Sequence, residues 1–206
     1  MNLKKHPELL PLVEWWEKEG LKTVACVAVA ALCVGGWYGW KNYTQSQRAA
    51  ASAAVANANT TEELEEAVAK FSGASSEAVL KIRLAKSYYD SGRYEEALAT
   101  YDALSSSVPA QFADIPPMGK AACLEAQKKF ADAQAAFEAF AEANPKSPFR
   151  LTALLGAARC VAQNGDTAKS LERIDALLKE FSSDEISKAR VEALKSAVER
   201  FAKTAK

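Results

Sequence analysis

The chain has 206 residues, and its 26 basic side chains balance 26 acidic ones. So even a charge gives no global field to draw in nucleic acid or acidic lipid. One histidine, His6, and four cysteines also exclude a disulfide framework and leave everything after His6 without an imidazole for general-base work or metal ligation.

In chain order, residues 1–22 form a short segment rich in lysine. Thr23 to Trp40 then run without a charged side chain. At about 1.5 Å per residue this stretch covers roughly 27 Å, near the thickness of a bilayer's hydrocarbon core. Trp15 and Trp16 precede it, and Trp37, Tyr38, Trp40 and Tyr43 follow, as expected for aromatic belts at two headgroup regions. Lys22 and Lys41 stand at the boundaries, where their charges can snorkel outward. The bulky end of the run, with Ala28-Val29-Ala30 inside it, argues against a cleaved signal. Cys33 follows Leu32 and Cys26 comes early, so neither fits a lipoprotein signal. The segment 23–40 is therefore expected to be an uncleaved transmembrane helix. Lys4, Lys5, Lys18 and Lys22 outnumber Lys41 and Arg48, which places the N-terminus in the cytoplasm and the following domain outside it. Ala31, Gly35 and Gly39 recur every four residues, a small-residue face that another helix could approach closely.

Residues 41–72 contain a degenerate helix pair, Gln45 to Asn57 and Glu62 to Phe71. Glu62, Glu63, Glu65 and Glu66 crowd the start of the second helix, complementing its dipole on a solvated face. No Gly-rich phosphate loop or nucleophile elbow occurs anywhere, so the expectation is a protein that is not an enzyme and needs no cofactor or metal.

Residues 73–206 repeat. Shifting Ala78–Pro109 by 36 positions superposes Ala85 on Ala121, Tyr94 on Phe130, Ala97 on Ala133, Tyr101 on Phe137 and Pro109 on Pro145. A further 37 reaches Ala158, Gly165, Ser170 and Ile174. Small residues allow paired helices to approach, aromatics fill the gaps, and Gly92 or Gly165 permits the left-handed residue that ends a helix. The second unit has Lys128 where that glycine is expected. Ser147-Pro148 reads as a cap and first turn, Asp166 as a cap, and Glu185 to Lys203 as a closing helix. Cys123 and Cys160 lie on neighbouring predicted helices and read as buried thiols, with a bridge across repeats as the alternative. The last helix carries Lys188, Arg190, Lys195, Arg200, Lys203 and Lys206, which read as a solvated cap.

The set Leu84, Ala85, Tyr88, Gly92, Tyr94, Ala97, Tyr101 and Pro109 resembles the tetratricopeptide repeat. The expected fold is all-α: an N-terminal transmembrane helix followed by a tetratricopeptide α-solenoid. The single span ending Gly36-Trp37-Tyr38-Gly39-Trp40, with Ala49 to Ala56 and degenerate repeats after it, resembles the YfgM-type proteins. That resemblance implies an inner-membrane protein with its C-terminal domain in the periplasm. Its partners would be translocon subunits, periplasmic chaperones or nascent secreted chains, and no nucleic acid. Asn144-Pro145-Lys146-Ser147-Pro148-Phe149 and the Gly165-Asp166 turn are similar to repeats of BamD- and CpoB-type envelope proteins. They imply an envelope-assembly scaffold as the alternative, and self-association into a homo-oligomer is a third reading. The repeat register of the family puts the partner groove on Ile82, Lys86 and Tyr89, then Met118, Ala122 and Glu125, then Leu155, Arg159 and Gln163. The Lys/Asn set that clamps a peptide carboxylate in one branch of the family is absent. Met118 and Leu155 are read equally as core residues at helical spacing.

Overall fold

The computed structural model describes residues 10–73, 76–104 and 108–204. Lys4, Lys5, His6 and Lys206, which the sequence reading invoked, lie outside them. The described residues form nine α-helices and no strand: α1 Leu10–Asn57, α2 Thr61–Lys70, α3 Glu77–Asp90, α4 Tyr94–Leu104, α5 Ile115–Ala126, α6 Phe130–Ala143, α7 Arg150–Gln163, α8 Thr167–Glu180 and α9 Glu185–Thr204. A short 3-10 helix, Ala110–Phe112, precedes α5.

The chain divides into two compact units, Met1–Ala50 and Ala51–Lys206. In the first, α1 is long and apolar enough to cross a membrane, by length and composition. Every residue from Val24 to Trp40 is exposed among the described residues. Lys41 lies over the Trp37 ring, 5.2 Å from its centroid, at one end of this stretch. Lys22 pairs with Glu19 at the other end, at 3.2 Å. A separate helix from Gln45 was expected, but α1 continues unbroken to Asn57. The reason is local. Ala49 to Ala56 is alanine-rich, and no glycine or proline occurs between Gly39 and Gly73.

In the second unit each helix packs on the next, and four apolar clusters follow one another along the stack. Ala51 and Ala58 join Leu64, Phe71, Leu80 and Leu84 in the first. Ala85, Ala97, Tyr101, Leu104 and Cys123 form the second. Phe137 and Phe140 centre the third with Ala121, Ala133, Ala153, Ala157 and Cys160. Ile174, Leu177, Val191 and Val198 close the fourth with Leu151 and Leu155. The two core cysteines thus occupy different clusters and are free thiols. Burial pushes Cys123 up to about 11 and Cys160 to about 12, so both stay protonated and unreactive at neutral pH.

The repeat shows most clearly where α3, α5 and α7 end. Gly92 donates its N–H to Tyr89 O at 3.0 Å and Arg93 to Tyr88 O at 2.8 Å. Lys128 and Lys129 repeat this pair of bonds to Glu125 O and Leu124 O, both at 2.9 Å, and Gly165 and Asp166 repeat it to Ala162 O and Val161 O, both at 3.1 Å. All three are Schellman ends, which demand a left-handed residue. Its φ is 78° at Gly92, 62° at Lys128 and 99° at Gly165. The missing glycine of the second repeat therefore did not change the turn; a lysine adopts the left-handed backbone instead. Because that conformation costs an L side chain roughly 1–2 kcal/mol, partly offset by glycine's greater freedom when unfolded, Lys128→Gly should stabilise the unit by about 0.5–1 kcal/mol. Urea unfolding would read this as a higher midpoint at unchanged slope, and a lower midpoint would refute it.

A close approach recurs as well. A Cβ on Gly119 would stand 2.4 Å from the Tyr101 ring, and one on Gly156 would stand 2.8 Å from the Phe137 ring. Tyr101 of α4 thus seats on a glycine of α5, and Phe137 of α6 on a glycine of α7. In the third repeat Ser170 takes the place of Ala97 and Ala133. Fully buried, it donates its hydroxyl to Ala158 O at 2.7 Å, so the polar substitute is satisfied.

Caps follow the sequence in part. Asp166 accepts from Lys169 N at 3.0 Å, as expected. Ser147 does not cap α7, which starts at Arg150. It accepts from Phe149 N at 3.0 Å in a turn and donates to Asp114 Oδ2 at 2.6 Å, tying that turn to the start of α5. The acidic run at α2 is more than a solvated face. Glu63 and Thr60 form a capping box, with Glu63 Oε2 accepting from Asn59 N at 2.8 Å and Thr60 N at 3.2 Å. Those backbone donors hold the Glu63 carboxyl below its ordinary range. Since its folded value is the lower one, its contribution is present above the unfolded carboxylate pKa and is lost as pH falls through the folded value. Amide exchange at Asn59 and Thr60 should therefore lose protection on acidification, beyond the intrinsic rate change, and Glu63→Gln should flatten that dependence.

Candidate partner-binding groove

Helices α3, α5, α7 and α9 follow one another along one side of the stack, each touching the next of this set as well as its chain neighbours. The nine residues expected to line a groove all fall on the first three of these helices, but they do not behave alike. Ile82 and Met118 are half-buried and pack against the second and third core clusters. Leu155 is buried within the fourth cluster and serves the core. Ala122 is half-buried, while Lys86, Arg159 and Gln163 are exposed.

Tyr89, Glu125 and Arg159 belong to one electrostatic neighbourhood across three repeats. Arg159 grips the Glu125 carboxylate with two bonds, Nε at 2.5 Å and Nη2 at 2.6 Å. Such a bidentate pair fixes both geometry and charge. The bond to Glu125 raises the Arg159 pKa further, so the guanidinium stays charged. Tyr89 stands edge-on to Tyr94 with ring centroids 5.4 Å apart. Burial raises its hydroxyl pKa, with the Glu125 charge adding to the effect. The row therefore presents a neutral phenol, a neutralised carboxylate and the exposed edge of a guanidinium.

Two clefts flank this row. One, of about 460 Å³, is polar and lies between α2 and α3, where Lys86 pairs with Asp90 at 2.7 Å beside Asn59, Arg83 and Ser87. Lys86 is thus engaged along its own helix, and beside it Arg83 Nη2 donates to Ala58 O, before α2, at 2.8 Å. The other, of about 200 Å³, opens between α7 and α9, with Arg159 and Gln163 facing Leu194, Ala197 and Phe201 across Ala162. Sequence reasoning missed the α9 residues because α9 was read only as a solvated cap. The signal was present in Leu194, Ala197 and Phe201, which are spaced three and four apart and so share one helix face.

Near the acidic start of α2, Glu65 accepts from the Tyr88 hydroxyl at 2.8 Å and from Arg93 at 3.3 Å, while Arg93 lies 4.4 Å from the Tyr88 ring centroid. That cluster joins α2 to the α3–α4 turn. On α1, Ala31, Gly35 and Gly39 are all exposed, and a Cβ on either glycine would meet nothing within 4 Å. Among the described residues, no three His, Cys, Asp or Glu side chains gather as a metal site.

Residues 82–113 and 124–185 match the tetratricopeptide repeat family model. No curated protein matches the chain significantly. Among solved structures, a Podospora anserina putative kinesin light chain with nearly identical repeats shares 18% identity at a TM-score of 0.57, covering 76% of this chain and 85% of that one. A point variant of that protein gives 0.58 at the same identity, covering 76% and 84%. The Yersinia enterocolitica type III secretion translocator chaperone SycD shares 22% identity at 0.50, covering 61% of this chain and 94% of its own. These likenesses concern the fold. Together with the three matching helix ends and the aromatic-on-glycine contacts, they show that the repeat unit has the fold of a tetratricopeptide-repeat α-solenoid.

Proposed function

We infer that the protein is a membrane-tethered adaptor that binds other proteins through its repeat unit. The observation that carries this is the coexistence of an apolar helix, exposed from Val24 to Trp40, with a row of helices presenting Tyr89, Arg159 and an apolar cleft. Tethering confines the groove to one membrane surface and so raises its effective concentration there. The lysine bias favours an N-terminus in the cytoplasm with the repeats outside it, and the resemblance to YfgM-type proteins makes that side the periplasm of a bacterial inner membrane. The partners would be translocon subunits, periplasmic chaperones or nascent secreted chains. The translocator chaperone SycD is a protein of similar fold that carries a chaperone role in its own name.

Cross-linking in native membranes, gentle solubilisation and mass spectrometry of what remains attached is the test. Recovery of translocon subunits or periplasmic chaperones supports the reading. Outer-membrane assembly or cell-wall proteins would transfer it to an envelope scaffold. Recovery of the chain alone would favour a homo-oligomer, for which the open Ala31, Gly35 and Gly39 face is the structural motive. External protease on intact spheroplasts should remove the repeats, and their survival beside a cut external control would reverse the topology.

A further inference from the structure

The α7–α9 cleft has a chemistry that narrows its occupant. Its floor is Ala162, only 3% exposed, and its wall is Phe201, which leaves 45% of its surface to solvent. Leu194 and Ala197 extend the wall, so the opening of about 200 Å³ is apolar apart from its Arg159 and Gln163 edge. An aromatic left half-covered beside a sealed apolar floor gains by burying the remainder against another apolar group.

The charge beside the cleft that no carboxylate neutralises is positive. Arg159 is its only charged lining residue, and the carboxylate nearest to that guanidinium, Glu125, is already held by two of its N–H groups. Arg200 precedes Phe201, is exposed and forms no ion pair among the described residues. The acids of α9 are turned away. Glu199 lies about 200° around the helix from Phe201, and Glu192 about 140° from Ala197. A segment entering here meets an apolar pocket lined at one edge by Arg159, with the unpaired Arg200 three residues beyond Ala197 on α9.

We propose that the α7–α9 cleft is an anchor pocket that takes one bulky apolar side chain, of leucine or phenylalanine size, from a partner segment with acidic residues beside it. This deepens the adaptor reading and rests on it. The apolar side chain covers Phe201 and Ala162, and the acids face Arg159 and Arg200. Specificity then comes from charge at the rim and affinity from the buried centre.

The test uses the full chain in lipid nanodiscs and a fluorescent twelve-residue Gly/Ser peptide bearing one phenylalanine flanked by aspartates. Anisotropy should show saturable binding. Replacing the phenylalanine by serine, or the aspartates by lysines, should weaken binding at least tenfold. Ala197→Trp fills the cleft from an exposed position and should also weaken it tenfold or more with unchanged helicity. Phe201→Ser, which removes the wall, is the second variant and should do the same. Arg200→Glu should abolish the preference for aspartate over lysine. Wild-type binding no better than the serine control, or affinity within twofold in both cleft variants, overturns the proposal. Membrane cross-linking separates the two readings. The same partners on wild type and Ala197→Trp overturn the pocket alone, whereas no partners on wild type overturn the adaptor.

Discussion

Phe137→Ala should destabilise the repeat unit by about 3–5 kcal/mol, the range for emptying a buried phenylalanine site. Phe137 is 3% exposed and sits at the centre of the α5–α6–α7 cluster. For a unit of this size the loss corresponds to a fall in Tm on the order of 10 °C. Because a solenoid's stability is carried by nearest-neighbour interfaces, hydrogen exchange should rise first in α6 and α7 and last in α2. The sharper test pairs it with Gly156. In the wild-type background Gly156→Ala places a Cβ 2.8 Å from the Phe137 ring, and overpacking of about 1–3 kcal/mol outweighs the gain of about 1 kcal/mol in helix propensity. With Phe137 already alanine the clash is gone, and the same substitution should stabilise by about 1 kcal/mol. A double-mutant cycle reads this as a change of sign. Equal costs in both backgrounds would show that ring and glycine do not press on each other.

The architecture was legible because packing in paired helices restricts residue types at fixed positions. Ala85, Ala121 and Ala158 must be small, and all three are buried as expected. Gly92 and Gly165 announced left-handed helix ends. Lys128 shows the limit of that signal. The backbone bonds of a Schellman end can hold a lysine there, so the turn survives without its usual residue. Gly119 and Gly156 are 37 apart, within one residue of the 36 between Tyr101 and Phe137 above them, but a glycine inside a helix reads as a weakness until its neighbour is known. The groove was less legible. Leu155 and Arg159 are one helical turn apart on α7, yet one closes the core and the other faces solvent. Periodicity gives a face only to within about one residue's rotation, roughly 100°. The end of α1 was hidden for a different reason, since alanine propagates a helix as well in water as beside lipid.

Val29→Arg combined with Leu32→Arg should release the chain from the membrane. Both residues lie near the middle of the apolar stretch, about 9 and 12 Å along the helix from its nearer end. Both are exposed, at 59% and 75%, so neither charge would meet a protein partner among the described residues. An arginine at the centre of a span costs about 2.5–3.5 kcal/mol, and the lost valine and leucine add a few tenths each. The pair therefore opposes insertion by about 6–8 kcal/mol, more than local thinning or snorkelling fully recovers. Wild type should stay with membranes through alkaline carbonate extraction, while the double variant should appear in the supernatant with its repeats folded. Val29→Leu with Leu32→Val controls for packing and should stay. Were wild type itself extracted, the exposed side chains from Val24 to Trp40 would need cover from protein rather than lipid. That outcome would move the partner question from the groove to α1, because an uncovered apolar surface of that length does not persist in water.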